Sequence, residues 1–85
     1  MSYEVKLHPQ VEKFLQKCRH ILAERIRAKL LLLAENPFQH LERFEGDYFK
    51  LRIGDYRALA DVDTGRRNVW IRLLDHRKRI YQRPR

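Results

Sequence analysis

The chain has 85 residues, a length that suits one domain with a small core, because such a chain buries roughly 60–65% of the surface that its unfolded form exposes. Hydrophobic residues make up 44% of it, with only three Gly and three Pro, so we expect one ordered globular domain spanning residues 1–85. Nineteen Lys and Arg against eleven Asp and Glu leave a formal net charge of +8. This excess favours a polyanionic partner, either nucleic acid or an acidic protein.

The cysteine content and the apolar runs exclude several classes of protein. Cys18 is the single cysteine, so an internal disulfide is impossible and a cysteine-based zinc cluster has no second ligand. We therefore expect no metal and no cofactor, and a reducing, cytoplasmic setting. The first ten residues lack an apolar signal region, and the longest apolar run, Leu30–Ala34, is too short to cross a bilayer. The sequence thus predicts a protein without a membrane anchor.

In chain order, the first predicted elements are a strand and two helices. Residues 3–7 alternate between apolar and polar, which predicts a half-buried strand, and Pro9 ends that strand and opens a helix. A second helix begins near Ile21 and ends before Pro37. Their short connection predicts a helical hairpin. The apolar faces consist of Val11, Phe14, Leu15 and Cys18 in the first helix and of Leu22, Ile26, Leu30 and Leu33 in the second.

From Tyr48 onward the apolar period changes to two, which predicts three successive strands. Gly54 and Asp55 form a two-residue turn between the first two strands, and the DTGRRN segment forms a looser second turn. The order predicts an α+β fold with an N-terminal strand, a helical hairpin and then a three-stranded antiparallel meander. We expect an antiparallel sheet with the helices packed on one face and the other face open.

The predicted hairpin places three cations on one face of the sheet. With Gly54 and Asp55 in the turn, Arg52 lies opposite Arg57, and Lys50 lies diagonal to Arg57. Like charges that oppose each other directly destabilise a sheet by about 0.2–1 kcal/mol. A bound anion would remove this cost.

Matching the apolar faces predicts the register of the third strand. This register places Arg57 opposite Leu74, and it places His76 on the face of the cations. Arg77 points to the other face of a regular strand, and it reaches the cations only through a bulge or at the strand end. The matched pairs are Ala58 with Leu73, Ala60 with Ile71 and Val62 with Val69.

These residue types suit the cleavage of RNA without a metal ion. The ribose 2′-hydroxyl must lose a proton, the leaving 5′-oxygen must gain one, and the charge of the phosphorane must be stabilised. Arginine offers paired donors to phosphate oxygens, and histidine can exchange a proton near neutral pH. The alternative is that Arg52 and Arg57 are solvated residues of an outward strand face and that His76 is structural.

Two segments of the sequence resemble the RelE/ParE toxin superfamily. YFKLRIGDYRALADVD contains a hairpin of the form K-L-R-x-G-x-Y-R, and VWIRLLDHRKRIY ends in H-R-x-x-I-Y. The opening YEVKLHPQVEKFLQK and the arginine-rich second helix also fit, so the resemblance covers nearly the whole chain. It implies a RelE-like α+β toxin fold and a cognate antitoxin partner, with DNA bound only through the antitoxin complex.

For the RelE branch, the resemblance implies an mRNA interferase. Such a toxin is a metal-independent endoribonuclease that cleaves mRNA in the ribosomal A site and inhibits translation. At the position of Arg52 that branch has a lysine, which has been cast as a general base, whereas an arginine keeps its proton and is a poor base. We therefore expect the arginines to stabilise charge, Lys50 and His76 to be the candidates for proton transfer, and Tyr81 to position the nucleotide. The candidate catalytic residues are Lys50, Arg52, Arg57, His76, Arg77 and Tyr81.

Two other functions fit the same scaffold. One is a ParE-type inhibitor of DNA gyrase, which needs no group that cleaves RNA. The other is a catalytically silent module that binds an antitoxin. The joint presence of the six candidate residues favours the endoribonuclease.

Overall fold

A computed structural model describes residues 2–80 of the chain. The predicted order of a strand, a helical hairpin and three strands is confirmed, and two short helices and one short strand add to it. The helices are α1 (Pro9–Lys17), α2 (His20–Leu32), α3 (Pro37–His40) and α4 (Arg77–Ile80), and the strands are β1 (Glu4–Leu7), β2 (Glu42–Arg43), β3 (Phe49–Ile53), β4 (Tyr56–Asp63) and β5 (Asn68–His76). No helix among these residues has both the length and the apolar character needed to cross a membrane.

The five strands form one sheet in the order β1-β5-β4-β3-β2. The meander of β3, β4 and β5 is antiparallel as predicted, but β1 joins β5 in parallel. The expectation of a wholly antiparallel sheet is therefore wrong at this edge. Alternation of apolar and polar residues shows which face a strand buries, but a parallel and an antiparallel partner bury the same face, so the pattern could not give the direction of β1.

The helical hairpin packs on one face of the sheet. His8 caps α1, because its Nδ1 accepts a hydrogen bond from the backbone N–H of Gln10 at 3.2 Å, and Pro9 occupies the first turn. Val11 and Leu15 are the buried residues of α1. The core between helices and sheet is formed mainly by Val11, Leu15, Ile26, Leu30, Leu33, Leu51, Ile53, Ala58, Ala60, Val69, Ile71 and Leu74.

The other face of the sheet is partly covered, so the expectation of a fully open face is wrong. The short helix α4 turns back and contacts β4 and β5. Leu59 and Ile80 are buried although they lie outside the main core. A second, smaller buried region therefore lies on the face that turns away from the helical hairpin.

A β-bulge changes the register of β5 halfway along the strand. Ala60 pairs with Ile71 as predicted, but the register shifts at Leu59 and leaves Arg72 as the extra residue. Beyond the bulge Ala58 faces Leu74, which is 0% exposed, rather than Leu73. The predicted pairing of Arg57 with Leu74 is wrong for the same reason, because Asp75 takes that place.

We expect Gly54→Ala to destabilise the fold. Gly54 has a φ of 58° at the first position of the β3–β4 turn, and an L-residue in this left-handed region costs about 1–2 kcal/mol. Gly65→Ala is the matched control, because a Cβ at Gly65 lies 3.5 Å from Asp63 Oδ1, an ordinary contact. Urea unfolding of both variants measures the difference. An equal loss of stability would contradict the assignment of strain to Gly54.

Candidate functional site

The β3–β4 hairpin builds the centre of the candidate site. The pair of Ile53 and Tyr56 flanks the two-residue turn, so Arg52 faces Arg57 as predicted. Lys50 pairs with Leu59, and the period of two places it on the same face as the two arginines. The three cations therefore share the sheet face that turns away from α1 and α2.

Arg57 is folded back onto the turn and is only 5% exposed. Its Nη1 donates hydrogen bonds to the carbonyl oxygens of Gly54, at 2.8 Å, and Tyr56, at 2.7 Å. Its buried Nε has no hydrogen-bond partner among residues 2–80. A buried donor without a partner is rare in native proteins and has a structural or functional cause, such as strain, a catalytic role, or a bound water or ion.

Asp75 lies opposite Arg57 on the other neighbouring strand and is 6% exposed. Its Oδ1 accepts a hydrogen bond from the backbone N–H of His76 at 2.8 Å. Arg57 thus has a cation on one side and a carboxylate on the other, and opposite charges in a cross-strand pair are stabilising. No sequence prediction included Asp75, since a regular register puts Leu74 at this position.

Lys50 occupies the end of the cationic face next to β2. Its side chain is 19% exposed, and its Nζ lies 3.8 Å from Oε2 of Glu42. The same Nζ lies 5.9 Å from the ring centroid of Phe44, within the range of a cation–π contact. These neighbours hold the ammonium group in place beside the arginines.

His76 does not share the face of the cations, so this prediction is wrong. It pairs with Tyr56, whose ring centroid lies 5.6 Å from the imidazole, and Tyr56 in turn contacts Phe14 of α1. The extra residue in the bulge reverses the alternation for every later residue of β5. Nδ1 of His76 accepts a hydrogen bond from the backbone N–H of Lys78 at 3.3 Å, which supports the first turn of α4.

Two further arginines approach the hairpin turn. Arg77 begins α4, and its backbone N–H donates to the carbonyl oxygen of Asp55 at 2.8 Å, while its side chain is exposed. Arg25 of α2 places Nη1 3.9 Å from the position that a Cβ at Gly54 would take. The helical pattern predicts that Arg25 lies on the outward side of α2, but it does not predict this contact, because the contact joins a helix to a distant turn. Tyr81, the remaining candidate, lies outside the described residues.

Together these residues place positive charge along β3 and around the β3–β4 turn. We call Arg25, Lys50, Arg52, Arg57 and Arg77 the cationic cluster; they come from α2, β3, β4 and α4. Guanidinium groups that lie close together can hold a phosphate through paired hydrogen bonds. A guanidinium that is held in place, as Arg57 is by the turn carbonyls, can also stabilise charge that develops in a transition state.

The family model for the ParE toxin of the type II toxin–antitoxin system parDE matches residues 5–81. No curated protein sequence matches the chain significantly.

Three solved structures illustrate the similarity of fold. The toxin–antitoxin complex RelBE2 from Mycobacterium tuberculosis has a chain that is 22% identical, with a TM-score of 0.81 over 91% of this chain and 100% of that one. The RelE–RelB complex from Pyrococcus horikoshii has one that is 29% identical, with a TM-score of 0.78 over 93% and 99%. A mutant of the Escherichia coli toxin RelE in the free state is 22% identical, with a TM-score of 0.75 over 96% and 93%.

Proposed function

The chain belongs to the ParE toxin family of type II toxin–antitoxin systems within the RelE/ParE superfamily, and on this premise we propose that it is a ribosome-dependent endoribonuclease. It needs no metal ion. By cleaving mRNA in the ribosomal A site, it inhibits translation in the cytoplasm. The observation that carries this proposal is buried Arg57, whose Nε–H has no partner among residues 2–80, next to exposed Arg52. Inhibition of gyrase requires no such arrangement.

The reaction is a transfer of the phosphoryl group within the RNA. The 2′-oxygen attacks phosphorus and loses its proton, while the bond from phosphorus to the 5′-oxygen breaks and that oxygen gains a proton. The products are a 2′,3′-cyclic phosphate and a 5′-hydroxyl end. Arg52, Arg57 and Arg77 stabilise the extra negative charge of the phosphorane, and Tyr81 positions the nucleotide.

Lys50 is the residue of the cationic cluster that exchanges a proton, either by taking it from the 2′-hydroxyl or by giving it to the 5′-oxygen, and water completes the other transfer. Lys50→Ala is expected to lower cleavage by about 10²-fold or more, because a positioned acid or base contributes typically 10²–10⁴-fold. His76→Ala is the contrasting variant, since His76 faces Tyr56 and α4 instead of the cations. Single-turnover cleavage of mRNA on stalled ribosomes measures both. A larger loss for His76→Ala than for Lys50→Ala would reverse these roles.

Mapping of transcript ends tests the proposed reaction. After brief expression of the chain, we expect discrete cuts within translated messages that carry 5′-hydroxyl ends. Cuts with 5′-phosphate ends would point to attack by water and would overturn 2′-hydroxyl attack. Intact transcripts together with growth arrest would overturn the endoribonuclease itself.

We also propose a cognate antitoxin as the protein partner, since the M. tuberculosis and P. horikoshii structures are complexes with antitoxins. Exposed apolar residues on α2, among them Ile21 at 75% and Leu31 at 70%, offer it a surface. Strand β1 is an edge of the sheet, and an added strand can pair with such an edge. Co-purification with the product of a neighbouring gene tests this partner.

A second candidate function is inhibition of DNA gyrase, favoured by the match to the ParE family model. Signalling of DNA damage on expression, with intact transcripts, would support it over the endoribonuclease.

A further inference from the structure

A second group of side chains lies on the same sheet face as the cationic cluster, farther along β4 and β5. Trp70 pairs with Lys6 of β1 on one side and with Asp61 of β4 on the other. Lys6 Nζ lies 5.3 Å and Arg72 Cζ 5.0 Å from the centroid of the indole ring. Both cations are thus within cation–π distance of one aromatic side chain.

The bulge in β5 sets the position of Arg72. As the extra residue of the bulge, Arg72 has no paired residue on β4. Its guanidinium turns toward Asp61, which follows Ala60 on β4, just beyond the point where the register shifts. Nε of Arg72 donates to Asp61 Oδ2 at 2.7 Å. This bond uses one side of the guanidinium and, within residues 2–80, leaves its Nη groups for another acceptor.

The distance between the two groups suits one strand of RNA. Arg57 and Asp61 are four residues apart on β4, which corresponds to about 13 Å along an extended strand. Leu59 and Leu73, which pair with each other across the sheet, lie between them. A cationic track with an aromatic side chain is the arrangement by which proteins hold single-stranded nucleic acid.

We infer that Lys6, Trp70 and Arg72 form a second contact for the single-stranded RNA whose scissile phosphate lies at the cationic cluster. Lys6 and Arg72 bind a backbone phosphate a few nucleotides from the cleavage point, and the indole packs against the adjoining nucleotide. This inference rests on the proposed function, because it assigns the path of that substrate. The competing explanation is that the two cations merely cover the indole.

Tryptophan fluorescence can report on this contact alone, because Trp70 is the single tryptophan of the chain. The probe is a 2′-O-methyl RNA octamer, which lacks the free 2′-hydroxyl and stays intact. It is unlabelled when the emission of Trp70 is measured, because fluorescein quenches indole emission by energy transfer, and it is fluorescein-labelled when anisotropy is measured. We expect the emission of Trp70 to change with the same saturation as the anisotropy of the RNA. Unchanged emission at saturating RNA would overturn the inference.

Charge-removing variants measure the phosphate contact. Lys6→Gln and Arg72→Gln remove the charge and leave a shorter, neutral polar side chain, and each is expected to weaken binding several-fold and to reduce the slope of log affinity against log salt by about 0.7. Lys13→Gln, at an exposed lysine of α1, is the control with the same loss of charge. Equal slopes for Lys6→Gln and Lys13→Gln would overturn the inference. Urea unfolding of each variant separates loss of binding from loss of folding.

The two proposals fail in different ways. If the unmodified chain cuts ribosome-bound mRNA but Lys6→Gln and Arg72→Gln bind RNA like the control, the contact is wrong and the endoribonuclease stands. If the chain cuts nothing but both variants still lower the salt slope, the endoribonuclease is wrong and the RNA contact stands.

Discussion

Replacing Arg57 with alanine is expected to lower mRNA cleavage by about 10²–10³-fold, the range seen when one preorganised donor to a developing charge is removed. Arg57 serves the site in two ways. Its Nη1 holds the carbonyl oxygens of Gly54 and Tyr56, and its Nε–H is a buried donor without a partner among residues 2–80. The guanidinium is therefore fixed before an anion arrives, and a local opening of the site gives that anion access to the buried Nε–H.

Arg57→Lys distinguishes geometry from charge. A lysine retains the positive charge, but its single ammonium cannot bridge the turn carbonyls and bind phosphate as a planar fork does. We expect this variant to remain folded and to lose most of the cleavage. Arg66→Ala is the control, because Arg66 is an exposed arginine in the β4–β5 turn. Single-turnover assays compare the cleavage rates of the two variants with that of the unmodified chain. An Arg57→Lys variant that cuts as fast as the unmodified chain would show that charge alone suffices.

Leu74→Ala is expected to be among the most destabilising single changes, with a loss of about 2–5 kcal/mol in the free energy of unfolding. Leu74 is 0% exposed and belongs to the core beneath the helices. Leu73, its neighbour, lies on the opposite face and is half-buried, so Leu73→Ala should cost only about 1 kcal/mol. The comparison uses two identical residues at adjacent positions.

This pair of variants also tests the bulge. In a regular strand without the bulge, Leu73 points to the core and Leu74 points away from it, so the two losses would be exchanged. Urea unfolding of Leu73→Ala and Leu74→Ala, at the same pH and salt, therefore reports the register of β5 directly. The outcome bears on the site as well, since the same register places Asp75 opposite Arg57.

The hairpin was predictable from sequence because its register depends on local features. A two-residue turn at Gly54 and Asp55 leaves one way to pair the flanking strands, and alternation then assigns each residue to a face. The placement of Arg52 opposite Arg57 follows from these two facts. The apolar faces of α1 and α2 were likewise predictable, because their apolar residues recur with the period of a helix.

The rest of the site depends on features that alternation does not encode. The two adjacent leucines, Leu73 and Leu74, interrupt the period of two and are the only local sign of the bulge, and the face of Asp75 and His76 changes with it. The contact of Arg25 with the turn joins elements that are distant in sequence. The packing of α4 against β4 and β5 likewise depends on tertiary contacts, which the alternation of residues does not predict.

The parallel pairing of β1 with β5 has a consequence for the order in which the chain can fold. Glu4 pairs with Asn68, so the first strand finds its neighbour only after nearly the entire sheet-forming sequence has been synthesised. Pairings between residues so far apart close large loops and slow folding, whereas the β3–β4 hairpin can form locally. The β3–β4 hairpin, which carries the cations, can thus form before β1 is paired, and the five-stranded sheet is complete only after β5 has joined β1.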